Sequence, residues 1–212
     1  IVVTAGGTQE PIDPVRYISN YSSGKMGYAV AEAARDRGAQ VTLVTAPTAL
    51  PDPYGVQVVR VRTALEMREA VMAACSGAHA LVMAAAVADF RPAQAVPAKI
   101  KRGEMTLLTL DLVRNPDILA ETACFPHLVR VGFAAETEDL LANAQRKLLE
   151  RGLDLVVAND VTAPGSGFGT DTNKVIIVGR HGAQELPLMS KYEVGCHILD
   201  HVARILAEKG EP

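Results

Sequence analysis

Ser22, Ser23, Gly24 and Lys25 set two hydroxyls, a flexible backbone and an ammonium side by side within the opening segment IVVTAGGTQEPIDPVRYISNYSSGKMG. They lie between a strand that Gly6 and Gly7 close and what reads as the first helix, AVAEAARDRG. The first amides of a helix have no intrahelical acceptor and carry the positive end of its dipole, so this pattern suits a phosphate. Two familiar labels do not apply. A Walker A loop needs glycine five positions before Gly24, where Ser19 stands. The fingerprint G-x-G-x-x-G is absent as well, because Gly6 and Gly7 are adjacent and Gly24 lies far downstream. Tyr21 and Lys25 have the Y-x-x-x-K spacing of short-chain dehydrogenases, yet they sit on the first loop, whereas that pair belongs on a later helix.

A second group of residues falls at the ends of apolar runs. In an open parallel sheet ligands bind beyond the carboxyl ends of the strands, which here carry Gly6 and Gly7, Ala86 and Asp89, Phe133, and Asn159 with Asp160. The alanines of MAAAVAD leave the backbone accessible to the edge of a base, and Asp89 could hold a metal or a ribose. The structural reading is that alanines pack against a helix and a strand-end Asp or Asn caps a turn. A covalent catalyst is missing. GSGFG at Gly165 to Gly169 is not the nucleophile elbow G-x-S-x-G, and His197 and His201 lack the Glu that H-E-x-x-H requires. Amides, lysines and acids without a nucleophile suit chemistry by positioning and charge stabilisation at phosphorus.

Composition narrows the setting. With 212 residues, 49% of them hydrophobic, the chain can bury one sizeable core, and no linker divides it, so a single domain over 1–212 is expected. A net charge of -3 and the absence of Trp exclude the basic, aromatic face of a nucleic-acid groove. Cys75, Cys124 and Cys196 are widely spaced without C-x-x-C and read as reduced thiols of a cytosolic protein. No apolar run reaches membrane-spanning length and no signal peptide precedes the first strand, which begins at once, as expected for a piece cut from a longer polypeptide.

The elements that must position these residues alternate. IVVTA, QVTLVTA, VQVVRVR, ALVMAAAVADF, VRVGFAAE and LDLVVAND read as strands; TALEMREAVMAACSG, with Thr63 and Glu66 as capping box, and TEDLLANAQRKLLERG read as helices. Continuous apolar strands separated by amphipathic helices predict an α/β, Rossmann-like doubly wound, mainly parallel sheet. Two segments interrupt this order. AKIKRGEMTLLTLDL predicts a flap hairpin over about 98–112, turning at Arg102-Gly103-Glu104 with Lys99 and Lys101 on one face, and NKVIIVGRHGAQELPLM predicts a C-terminal hairpin turning at Arg180-His181-Gly182. The helix SKYEVGCHILDHVARILAEKG follows.

In this order TAGGTQEPIDPVRYISNYSSGKMG, MAAAVADFRP, the KIK flap, RNPDIL, VGFAAET and LDLVVAND resemble the bacterial phosphopantothenate cysteine ligases over almost the whole chain. The resemblance implies a coenzyme A pathway enzyme that activates 4'-phosphopantothenate with CTP and Mg²⁺ as an acyl-cytidylate, then transfers the acyl group to L-cysteine with release of CMP. It implies a cytoplasmic homodimer, and fusion in the full-length chain to an N-terminal FMN-dependent decarboxylase, with no FMN, nucleic-acid or membrane partner for this fragment.

Carried over by motif, the family's roles fall on Asn20 for the acyl group and intermediate, Arg16 for the second half-reaction, and Ser22, Ser23 and Gly24 for the triphosphate. Ala86 and Phe133 would frame the cytidine, Asp89 would lie by the nucleotide or its Mg²⁺, and Lys99 would close over the nucleotide. Asn115, Pro116, Asp117 and Ile118 match the N-P-D-I nucleotide loop, Lys147 matches a nucleotide-contacting lysine, and Arg151 stands where the family has a second lysine. Structural readings accompany these roles: Asn115-Pro116 is also an ordinary helix N-cap with proline at N1, Lys147 an exposed helix lysine, and Phe133 a core residue. The alternatives from other classes are an NAD(P)-dependent oxidoreductase on the same fold and a noncatalytic nucleotide-binding module.

Overall fold

The computed structural model describes residues 1–103, 106–136, 139–160, 164–167 and 169–210. Along the chain run β1 (Val2–Ala5), β2 (Gln9–Pro11), β3 (Tyr17–Ser19), α1 (Lys25–Asp36), β4 (Thr42–Thr45), β5 (Gln57–Arg60), α2 (Ala64–Cys75) and β6 (Ala80–Met83). There follow β7 (Phe90–Pro92), β8 (Leu112–Arg114), α3 (Ile118–Glu121), β9 (Val129–Glu136), α4 (Leu140–Glu150), β10 (Leu155–Asp160), β11 (Thr172–Gly179), β12 (Gly182–Ser190) and α5 (Lys191–Glu208).

Eight strands form one sheet in the order β12-β11-β10-β9-β6-β1-β4-β5. Pairing is parallel from β5 to β10, and the expected C-terminal hairpin adds β11 and β12 antiparallel. Alternate residues of the strands feed two apolar layers. Val3, Leu155 and Val157 face α1 and α5 with Val30, Val194 and Ile198, while Val2, Val156 and Ala158 face α2 and α4 with Met67, Val71 and Leu148. Burial on both faces, worth roughly 1.5–3 kcal/mol per large apolar side chain, explains strands that read as unbroken apolar runs.

From β1 the chain winds one way to β4 and β5, then returns to lay β6, β9 and β10 on the other side, so the topological switch lies between β1 and β6. The crevice beyond their carboxyl ends is where such sheets bind ligands. Gly27 brings the start of α1 down onto this point, since a Cβ there would stand 2.5 Å from the Thr4 carbonyl oxygen and 2.7 Å from the Ala5 Cβ.

Several elements differ from the sequence reading. The run ALVMAAAVADF, whose last residue, Phe90, starts β7, belongs to the eight-stranded sheet only over Ala80–Met83, because β1 ends at Ala5 and Gly6 turns away with φ +80. Beyond it a single bridge, Gly7 to Ala86, continues the ladder. The first helix begins at Lys25, four residues before the expected Ala29, with Gly24 in a left-handed conformation at its N-cap. The segment read as loop between β1 and α1 contains the short hairpin β2–β3, closed by the Asp13 carboxylate, which accepts from the amides of Val15 and Arg16. At α2 the Thr63 hydroxyl accepts from the Glu66 amide, but the Glu66 carboxylate accepts from the amide of Arg62.

The flap hairpin is displaced as well. The antiparallel pair is β7 with β8, Phe90 opposite Arg114, and residues 98–103 and 106–111 form no strand. Glu104 of the expected turn lies outside the described residues. Residues 106–109 are all exposed, Leu107 by 79%, so the far part of this arm has no layer to pack against, and an isolated two-stranded ribbon is marginal.

Candidate active site

Two cavities open at the carboxyl end of the sheet. One, of about 540 Å³, runs from Asn20 and the start of α1 past Ala84–Val87 to Asn173 and Lys191. The other, of about 430 Å³, lies between residues 87–90 and the segment Arg114–Leu119. Ala85, Val87, Asp89, Phe133 and Lys147 line both, so the two cavities meet along these residues. Of the expected site residues, Asn20, Ser22, Ser23, Gly24 and Ala86 belong to the first, and Asn115, Pro116, Asp117, Ile118 and Arg151 to the second. Neither wall includes a Cys or His among the described residues.

At the phosphate end the amides of Gly24 and Lys25 meet the hydroxyls of Ser22 and Ser23 at 3.3 and 3.5 Å, long contacts that a stronger acceptor could replace. The Lys25 ammonium reaches the Gly169 carbonyl at 3.0 Å and the Asp171 carboxylate at 2.7 Å, and this bond holds the Asp171 carboxyl below its ordinary pKa.

The segment 84–89 is pinned at every turn. Ala85 N donates to Thr4 Oγ1, Ala86 N to the Gly6 carbonyl and Ala88 N to Thr8 Oγ1, while the Ala86 carbonyl accepts from Thr8 N. The Ala86 amide is therefore spent on the sheet, which corrects the expectation that its N–H is open to a base edge. Asn20 Nδ2 donates to the Val87 carbonyl at 3.1 Å and so ties the two loops together.

Asn115 is buried. Its Nδ2 donates to the Ala88 carbonyl at 2.8 Å, its Oδ1 accepts from Arg91 at 3.0 Å, and its amide donates to the Asp89 carbonyl at 2.8 Å. It is not the helix cap. Asp117 caps α3, accepting from Ala120 N, and also pairs with Arg151 at 3.0 Å, because Asn115 points inward at the loop and leaves the N-cap to the residue after Pro116. Lys147 bends under β9 and donates to the Phe133 carbonyl, which places it in the cavity rather than on a solvated face.

Arg16 and Lys99 are elsewhere. With Ile100, Lys101, Arg102 and Leu107 they line a separate open cavity of about 600 Å³ on the β7–β8 arm. The Arg16 guanidinium grips the Asp13 carboxylate and donates to the Ile100 carbonyl at 2.8 Å, and this pairing pushes the Asp13 carboxyl far below the usual range. The face that the KIK alternation predicted for Lys99 and Lys101 is thus not turned to the Asn20 cavity of the same chain. His201 contacts Gln184, and no group of three His, Cys, Asp or Glu among the described residues could hold a metal. Sequence reasoning passed over Lys25's partner Asp171, the Arg91 support of Asn115, and Lys191, all of which depend on contacts between distant segments.

Residues 1–206 match the family described as DNA/pantothenate metabolism flavoprotein C-terminal domain. The chain belongs to this family. Curated relatives include the coenzyme A biosynthesis bifunctional protein CoaBC of Escherichia coli (strain K12), 46% identical over 215 residues, which cover 99% of this chain and 52% of that protein. The protein of the same name from Bacillus subtilis (strain 168) is 45% identical over 214 residues, with 100% and 52% covered. A crystal structure of the C-terminal domain of a CoaBC protein superposes with a TM-score of 0.83 at 38% identity, covering 98% of this chain and 95% of that one. The chain spans about half the length of the curated relatives it matches. No helix among the described residues is long and apolar enough to cross a membrane.

Proposed function

We propose that residues 1–212 form one phosphopantothenate cysteine ligase domain, joining 4'-phosphopantothenate to L-cysteine at the expense of CTP. The reading rests on the family and, in the structure, on one observation: the helix-start cavity and the 115–118 cavity meet along Asp89, Phe133 and Lys147. A nucleotide anchored in one and an acid in the other would bring their reacting atoms to that junction, and the acid's own carboxylate would serve as the nucleophile.

In the first step the carboxylate of 4'-phosphopantothenate attacks the α-phosphorus of CTP, and the bond to the departing pyrophosphate breaks. The cysteine amine then attacks the acyl carbon, loses a proton and expels CMP. Ser22, Ser23 and Gly24 cradle phosphate, Asn20 orients the acyl group, and Lys147 and Phe133 hold the nucleotide beside residues 115–118 and Arg151. Asp89, a carboxylate that lines both cavities, would be the side chain to hold a Mg²⁺, which would supply positive charge to the phosphates.

The arm favours a homodimer. Val15, Tyr17, Phe90, Leu107, Leu112 and Val113 are exposed apolar side chains on or beside β2–β3 and β7–β8, which a second copy would cover, and a site shared between copies would give Arg16 and Lys99 of the arm a role that their own chain's Asn20 cavity does not. Free thiols at Cys75, Cys124 and Cys196 accord with a reducing cytoplasm, and the relatives' bifunctional name accords with fusion to an N-terminal decarboxylase. The oxidoreductase alternative keeps no support, since the glycine fingerprint is absent.

Mass spectrometry tests the reading. With CTP, Mg²⁺ and 4'-phosphopantothenate but no cysteine, the protein should accumulate an acyl-cytidylate and pyrophosphate, and added cysteine should discharge it to CMP and product. Absence of the acyl-cytidylate, or a nucleotidyl group covalently bound to protein, would refute it.

A further inference from the structure

The first residue of α5, Lys191, is 5% exposed and lines the helix-start cavity. Its ammonium donates to the carbonyls of Gly167, at 2.9 Å, and Thr170. An ammonium has three N–H donors, and among the described residues the third has no partner. A buried ammonium with an unspent donor is costly unless an anion completes it. The same cavity is lined by Ser22, Ser23, Gly24 and Lys25 at the start of α1, and by Gly167 and Asn173; Lys25 and Lys191 bind neighbouring residues of one loop, Gly169 with Asp171 and Gly167 with Thr170.

We propose that Lys191 is a phosphoryl-contacting residue, which binds a phosphate oxygen in the cavity that the α1 amides also line. The inference rests on the ligase reading only for the source of the phosphate, either the CTP tail or the phosphate of 4'-phosphopantothenate. The loop carbonyls aim the ammonium, and the Asn173 side chain, which accepts from Gly167 N at 3.2 Å, holds the loop in place.

The charges facing Lys191 are Lys25 from α1 and Asp171 from the segment leading into β11, while Glu193 of its own helix turns to cap Ser190. Burial, reinforced by Lys25, lowers the Lys191 ammonium to about 8, and Asp171 opposes this in part. An anion that requires the charged form therefore binds less well as pH rises through that value. Sulfate is the suitable probe, being dianionic throughout. If it binds only the ammonium form, its Kd should be about tenfold weaker at pH 9 than at pH 7.

The test is a titration with sulfate at pH 7 and pH 9, with the lysine side chains followed by NMR. In the unaltered protein one ammonium should titrate near 8, sulfate should raise its pKa, and affinity should show the tenfold loss. Lys191→Arg, whose charge persists, should reduce that loss to less than twofold, and Lys191→Met should bind sulfate weakly at both pH values. Equal sulfate affinity at pH 7 and pH 9 in the unaltered protein, or saturation without movement of the Lys191 resonance, overturns the proposal even if the variants fail to fold. Displacement of sulfate by CTP but not CMP assigns the contact to the triphosphate, and displacement by 4'-phosphopantothenate assigns it to the acid. Acyl-cytidylate formation measured in parallel judges the ligase reading separately, since sulfate binding does not depend on turnover.

Discussion

Replacing Asn115 separates a residue that touches nucleotide from one that builds the wall nucleotide touches. Asn115→Ala removes the donor to the Ala88 carbonyl, at 2.8 Å, and the acceptor for Arg91, at 3.0 Å. Ala88 is 3% exposed, so its carbonyl is left without a partner in a site that water reaches poorly. Each lost bond is worth about 1 kcal/mol net, and the orphaned carbonyl adds its desolvation, for a total of about 2–4 kcal/mol. In a protein of this size 1 kcal/mol moves the midpoint by roughly 2–4 °C, so the variant without ligand should melt about 5–10 °C lower. Asn115→Asp keeps the acceptor for Arg91 but sets a carboxylate against the Ala88 carbonyl, and should lose at least as much. Circular dichroism melts with and without CTP would measure both. A residue that only contacted nucleotide would leave the ligand-free melt in place and reduce only the shift on adding CTP. An Asn115→Ala midpoint within about 1 °C of the parent without ligand would refute the argument.

Gly27→Ala should destabilise by about 1–3 kcal/mol in urea unfolding although Ala favours helix, because the new Cβ meets the Thr4 carbonyl at 2.5 Å and backbone cannot yield; an unchanged midpoint would show that α1 can lift from β1 freely. Cys75 is fully buried and burial pushes its thiol up to about 12, so a thiol reagent at pH 8 should label exposed Cys124 and spare Cys75 until the fold opens. The sign for stability follows: between about pH 9 and 12 the unfolded chain loses a proton that the folded chain keeps, so this group lowers stability as pH rises. Lys99→Gln should slow acyl-cytidylate formation by roughly two to four orders of magnitude. Mixing it with inactive Asn20→Ala should restore part of the rate if the arm serves a second copy, and no recovery in a verified mixed dimer would exclude that arrangement.

The sequence alone determined what local physics encodes. Continuous apolar runs of strand length, separated by amphipathic segments, fixed on a doubly wound sheet because burial on both faces leaves no other pattern, and β9 and the Arg180-His181 turn of the last hairpin fall where they were read. The glycines around the start of α1 were legible because close backbone approach tolerates no Cβ, as Gly24 and Gly27 demonstrate. What only the tertiary structure decided are groupings set by strand order. Lys25 meets Asp171 across 146 positions, and Asn20 meets Val87 across 67, because the sheet places their loops at one end. No spacing rule reaches so far. The alternation around Lys99 correctly marked an arm but misplaced its ladder to residues with nothing to pack against, while Asn115 looked like a cap and became a buried brace. A side chain's role there follows from which carbonyl lacks a partner, and that is known only once the whole sheet has assembled.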